Sequence, residues 1–209
     1  MIGDALVTAF VRGGWVMYPL ALLSVLSVAA TIERTIFWMR THGRRRMRRV
    51  AALARRMRSG DKSAAQALVE NDSSVYAELG RQLIDAGAFD KGGLTEGEAR
   101  ELIEQVRPPV ERASVLHTTI ITAAPILGIL GTVTGIIQSF GALSSEEGVA
   151  DPGLVADGIA EALYTTAFGL IVALITLFPY VVFRAHVERC FNGLELIASG
   201  CVGRDKKTD

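Results

Sequence analysis

Hydrophobic residues in this chain gather into three long stretches instead of recurring at amphipathic intervals. No Asp, Glu, Lys or Arg interrupts residues 13–32, 113–145 or 162–183. Each stretch exceeds the ~18 apolar residues that mark a membrane-span candidate, and ~20 residues at ~1.5 Å rise cross a bilayer core. The pattern predicts an all-α integral membrane protein with three transmembrane helices. Between the first two stretches the periodicity turns helical and polar. Ser59-Gly60-Asp61 stops a helix over 44–58, and Asp61 or Ser63 can cap the next one over 63–70. A further short helix fits 73–86, closed by Gly87, and Thr95 with Glu98 forms a capping-box pair. From there a long helix is expected to kink at Pro108-Pro109 and continue unbroken into the second span.

The resulting organisation has seven parts. Residues 1–14 form an amphipathic segment, 15–39 the first transmembrane helix and 40–112 a cytoplasmic helical domain. Residues 113–145 form the second span and 146–161 a short acidic periplasmic loop that includes the start of the third helix. The third span covers 162–183, and a cytoplasmic extension covers 184–209. The first span has no basic leader, and Glu33-Arg34 stands where a cleavage site would need small residues, so it reads as a retained helix.

Half of the 209 residues are hydrophobic, and the net charge is zero, but the charges are segregated. Arg40, Arg44, Arg45, Arg46, Arg48 and Arg49 lie beside the first span. Glu146, Glu147, Asp151, Asp157 and Glu161 follow the second span with no base among them. The positive-inside rule then sets the Arg-rich side in the cytoplasm, with the N-terminus outside and the C-terminus inside. The basic collar of Arg44, Arg45, Arg46, Arg48 and Arg49 is placed to meet anionic lipid, at ~1 kcal/mol per side chain. Cys190 and Cys201 fall in the cytoplasmic extension without metal-ligand spacing, which leaves them as structural residues. Nothing suggests a metal, a nucleotide, a haem or nucleic acid. The glycines of 128–135 lack the strand context and Lys of a phosphate loop.

Two polar features break the apolar spans. In the second, Thr118, Thr122, Pro125, Gly128, Thr132, Gly135 and Ser139 recur at steps of three and four, on one helical face. Gly131 and Gly135 add a GxxxG pair that permits close backbone approach, and Pro125 bends the helix. In the third, Glu161, Thr165, Gly169, Ala173 and Thr176 share a face, with Thr166 beside it. A stripe of small residues by itself is most simply a packing seam. A carboxylate on the same face as the hydroxyls changes that balance, because ionisable groups at membrane depth mark ion pathways. Hydroxyls both donate and accept, so they can extend a water wire. The two stripes can pack together or jointly line a passage.

The segments APILGILGTVTGIIQSF (124–140) and IAEALYTTAFGLIVAL (159–174) resemble the two signature helices of the MotA/TolQ/ExbB proton-channel family. The opening GGWVMYPLALLSVLSVAATIER (13–34) resembles the first span of its ExbB-like members, and three spans fit the ExbB/TolQ branch. This resemblance implies a homopentamer whose second and third helices line a pore. It implies a dimer of a single-span ExbD- or TolR-like partner in that pore, carrying a membrane Asp. Proton flow would then drive a TonB- or TolA-like protein, in the bacterial inner membrane and without covalent catalysis. The family's helix-three Glu matches Glu161, its helix-three Thr matches Thr166, and its helix-two Thr matches Thr132. Thr165 joins the pore-lining set from its place beside Thr166. A non-conducting oligomeric scaffold is the competing expectation, and a transporter with its own substrate site is disfavoured in a chain of three spans.

Overall fold

The computed structural model describes residues 13–41, 44–90, 92–143 and 152–203. Among them the regular structure is helical, apart from an isolated bridge between Leu94 and Val202. The helices are α1 (Met17–Thr41), α2 (Arg44–Ser59), α3 (Lys62–Val69), α4 (Val75–Asp85), α5 (Glu96–Gln105), α6 (Arg107–Leu143) and α7 (Pro152–Ala198). Residues 1–12, and with them most of the expected amphipathic segment, lie outside the described residues, as do 144–151, the last two residues of the expected second span and the first six of the acidic loop.

The chain divides into two units, one of Met1–Glu33 with Ser114–Val181, the other of Arg34–Ala113 with Val182–Asp209. Three helices are long and apolar enough to cross a membrane, over Met17–Met39, Arg107–Gly141 and Val155–Ala198, and the first unit holds the parts of them that fall within its bounds. The core of this unit is thin. Val16, Met17 and Leu20 of α1 pack with Ile120 and Ala124 of α6 and with Val172 and Ala173 of α7. Val25, Ile126, Ile137, Leu163, Ile171 and Phe178 stay exposed. Water would penalise so much bare apolar surface, whereas lipid or a neighbouring subunit would cover it. This is a multi-pass membrane protein.

The second unit has a conventional packed core, in which Trp38, Met57, Leu79, Leu83, Cys190, Leu194, Ile197 and Cys201 are buried. Its short helices are set by their caps. Asp61 accepts from the Ala64 amide at 3.1 Å and Ser74 from the Ala77 amide at 3.3 Å. Thr95 and Glu98 complete a reciprocal capping box. Gly60 and Gly87 hold φ of 81° and 89°, a left-handed conformation that lets the chain leave α2 and α4 sharply. Arg34 is buried and donates to the carbonyls of Pro109 and Val110 at 2.9 and 3.3 Å.

Two helix boundaries differ from the pattern read in the sequence. The helix expected to kink at Pro108-Pro109 and run on instead breaks: α5 ends at Gln105, Val106 turns with φ −93° and ψ 0°, and α6 begins at Arg107. Two successive prolines inside a continuous helix would remove two ladder donors. In the first turn of a new helix those missing donors cost nothing. The third helix also starts earlier than its charge-free window. It begins at Pro152, within the 146–161 segment expected to include its start, so Glu161 lies more than two turns inside α7. A charge-free window marks where lipid can lie, whereas helix extent follows backbone preference, and Asp157 and Glu161 do not oppose it.

Candidate proton pathway

The centre of the membrane unit is a seam between α6 and α7 in which backbone meets backbone. Small residues set its closeness. A Cβ on Gly128 would come 3.0 Å from Thr166 Cα, and one on Gly135 would come 2.7 Å from the Gly158 carbonyl. A Cβ on Gly131 would overlap the Thr165 side chain, and one on Gly169 would stand 3.2 Å from Gly128 Cα. Of the two arrangements open to the small-residue stripes, packing against one another is the one found within this chain.

The seam follows a slightly different line from the one drawn on α6. The buried positions are His117, Ile120, Ala124, Gly128, Gly131, Gly135 and Ser139, while Thr118 and Thr122 are exposed and Thr132 is half-exposed. The stripe through Thr118, Thr122 and Thr132 advances at a period near 3.5, which drifts around a straight α-helix by ~20° per heptad. The buried line advances at about 3.67 and stays in register with the neighbour. The exposed threonines satisfy themselves: Thr118 donates to Ser114 and Val115 carbonyls at 3.0 and 2.9 Å, and Thr132 donates to the Ile129 carbonyl at 2.6 Å.

On α7 the face read from the sequence is the buried one. Thr165, Gly169, Ala173 and Thr176 are buried, and Glu161 above them is half-buried. Thr166 donates to the Gly128 carbonyl across the seam at 2.9 Å. Thr165 donates to Ala162 of its own helix at 2.8 Å and reaches the same Gly128 carbonyl at 3.5 Å. Glu161 rests against the backbone of Gly14, where φ is 64° and a side chain would collide with the Glu161 carboxylate. Thr165 and Thr166 are therefore brought together with Gly128 and Gly131, Glu161 stands one turn above them against Gly14, and the Thr132 hydroxyl turns to its own helix. Pro125 is half-buried inside α6 without ending it.

Below this group Thr176, already on the face read from the sequence, meets polar residues that the sequence pattern did not single out. Ser27 of α1 and Thr176 of α7, both buried, share a hydrogen bond of 2.7 Å. Farther along, His117 of α6 is 1% exposed. Its Nε2 is 3.4 Å from Thr31 Oγ1 of α1, and its ring stacks on Tyr180 of α7 with centroids 6.4 Å apart. The signal was available as a histidine inside an otherwise uncharged span. The face it occupies was not available, because it depends on the 3.67 period. Of the basic collar, Arg48 and Arg49 are exposed, and Arg49 pairs with buried Asp72 at 3.7 Å. The side chains of Arg44, Arg45 and Arg46 lie outside the described residues. Among the described residues no His, Cys, Asp and Glu cluster could hold a metal ion.

Residues 89–195, which carry the whole α6–α7 seam, match the MotA/TolQ/ExbB proton channel family. The chain belongs to this family. The biopolymer transport protein ExbB-like 3 of Synechocystis sp. is 36% identical over 184 residues, covering 86% of this chain and 85% of the relative. The biopolymer transport protein ExbB of Salmonella typhimurium is 28% identical over 180 residues, covering 82% and 72%. The Tol-Pal system protein TolQ of Pseudomonas aeruginosa is 35% identical over 102 residues, covering 47% and 44%. Glu161, Thr132, Thr165, Thr166 and the seam glycines all fall within the matched region, while Ser27, Thr31 and Gly14 fall outside it.

Proposed function

We propose that this member of the MotA/TolQ/ExbB family is the pore-forming subunit of a motor driven by the proton-motive force. It sits in the bacterial inner membrane with its N-terminus in the periplasm and its C-terminus in the cytoplasm, in keeping with the Arg-rich side of the first span. The observation that carries the reading is the placement of Glu161. A carboxylate stands half-buried on the same face of α7 as Thr165 and Thr176, seated on bare backbone, with the Thr166 hydroxyl one turn deeper. Lipid-facing positions of α7 carry leucine, isoleucine and phenylalanine, and a scaffold that only packed would have no use for an acid there.

In this reading five copies surround a pore that holds a dimer of a single-span ExbD- or TolR-like partner. Glu161 shapes proton entry, and Thr166 with Thr132 of each copy orients waters or the partner's carboxylate. Movement of one set of subunits against the other is passed to a TonB- or TolA-like protein. No covalent chemistry is involved. The thin core and large bare apolar faces of the membrane unit support assembly, since a single copy leaves them uncovered. Exposed Arg48 supports contact of the basic collar with anionic lipid.

The test is co-expression with the single-span, Asp-bearing partner, native mass spectrometry of the purified complex, and proton flux into proteoliposomes. A pentamer that retains two partner copies and conducts is expected, with flux lost in Glu161→Gln while assembly is kept. An Glu161→Gln complex that conducts like the parent overturns the assignment of Glu161. A chain that assembles alone, retains no partner and passes no protons is the oligomeric scaffold instead.

A further inference from the structure

We propose that His117 of α6 is a second proton-relay residue of the membrane unit, across the membrane-crossing stretch of α7 from Glu161, with Thr31 and Tyr180 holding its ring. The inference rests on the proton-conducting reading of Glu161. His117 contacts Tyr180, which lies nineteen residues beyond Glu161 on the same helix. At ~1.5 Å per residue that is about 28 Å, close to the ~30 Å of a bilayer core. The unit thus carries an ionisable side chain near each end of its hydrocarbon-crossing length. Between them the buried face of α7 runs through Thr165 to Thr176, and Thr176 is bonded to Ser27 across to α1.

Packing alone does not account for an imidazole in this place. His117 is 1% exposed, on the same line of α6 as Ile120 and Ala124, where an apolar side chain would fill the space without desolvating two ring nitrogens. Nor does Thr31 require it, because threonines elsewhere in the unit satisfy their hydroxyls on their own helix, as Thr118, Thr122 and Thr134 do. The arrangement instead gives the ring what a relay needs. One nitrogen, Nε2, faces a hydroxyl that can donate or accept, and the stacked Tyr180 ring fixes the imidazole plane. A proton taken up on one ring nitrogen is matched by release of the proton from the other. The ring returns to its starting charge with its two tautomers exchanged, and a rotation or a return through water resets it.

The test uses the assembled complex with its single-span partner, reconstituted in proteoliposomes with an entrapped pH-sensitive dye and a potassium diffusion potential. His117→Ala is expected to assemble as the parent does and to lose at least about tenfold of its proton flux. Imidazole, which fits the space vacated by the side chain, is expected to restore flux. Pyrazole, of the same size and shape but far less basic, is expected not to. Flux within about twofold of the parent in His117→Ala, or equal rescue by pyrazole, overturns the relay. Should His117→Ala fail to assemble, His117→Asn keeps the polar contact without the basic nitrogen, and the same loss of flux is expected. Failure of both to assemble makes the residue structural and overturns the proposal. A parent complex that is silent, or a Glu161→Gln complex that conducts normally, overturns the reading beneath it. A conducting parent, a dead Glu161→Gln and an unaffected His117→Ala overturn only the relay.

Discussion

The α6–α7 seam makes a quantitative demand at Gly131. Adding one methyl there brings it onto the Thr165 side chain, whose Oγ1 and Cβ it would overlap and whose Cγ2 it would meet at 2.9 Å. All the nearest atoms belong to that one side chain, so the conflict is between two residues of the same chain. Overpacking of this kind costs ~1–3 kcal/mol, and the better helix propensity of alanine offsets no more than ~1 kcal/mol of it. Gly131→Ala is therefore expected to lose about 1–2 kcal/mol. Thr165→Gly removes all three obstructing atoms and leaves a void, with a cost of similar size from lost packing and the glycine penalty. The double variant trades the three-atom threonine side chain on one helix for a single methyl on the other, so the added methyl no longer meets an obstruction. Its loss is expected to fall short of the sum of the single losses by about 1–2 kcal/mol, within the range seen for side chains in direct contact. Reversible unfolding of the purified protein by dodecyl sulfate titration, followed by far-UV circular dichroism, reads all four corners of the cycle. Strict additivity would refute the close packing of these two positions. Because the seam lies inside one chain, the bulkier Gly131→Leu is expected to disturb the protomer first and assembly as a consequence.

Other contacts make narrower predictions. Ser27→Ala removes the buried bond to Thr176, but Thr176 keeps its own bond to the Val172 carbonyl at 2.6 Å, so the loss should lie near the ~0.6 kcal/mol average for bonds between membrane helices, read by the same titration. Arg34→Met strips two charge-assisted bonds from the Pro109 and Val110 carbonyls and should cost about 3 kcal/mol, whereas a solvated arginine would cost almost nothing. The Glu98 carboxyl is held below its usual range by the Thr95 amide and hydroxyl. A depressed folded-state value means that its contribution is full above the ordinary glutamate range and is lost as pH falls through the folded value. Thr95→Ala should therefore raise the Glu98 titration midpoint, measured by carboxyl-carbon NMR, and blunt the acid sensitivity of the second unit. An unmoved midpoint would show that the capping box is not formed in solution.

The sequence alone determined the three spans, the separate polar helical unit and its caps, because these depend on local rules. A run of uncharged residues longer than a bilayer is thick has few other uses, and Asp61, Thr95, Gly60 and Gly87 act within a few residues of themselves. It also brought Glu161, Thr165 and Thr176 onto one face, since a short stretch of helix tolerates an inexact period. Tertiary structure decided what depends on two helices at once. Over the length of α6 the difference between periods of 3.5 and 3.67 turns Thr118, Thr122 and Thr132 away from α7 and brings His117, Ile120 and Ala124 toward the interior. The partnership of His117 with Thr31 and Tyr180 joins three helices that are far apart in the chain, so no spacing along any one of them encodes it. The seat of Glu161 on Gly14 has the same origin: a residue chosen for a turn at one end of the sequence leaves room for a carboxylate from the other. Local preferences fix what each helix is, and the mutual fit of their surfaces fixes which of its polar groups face one another.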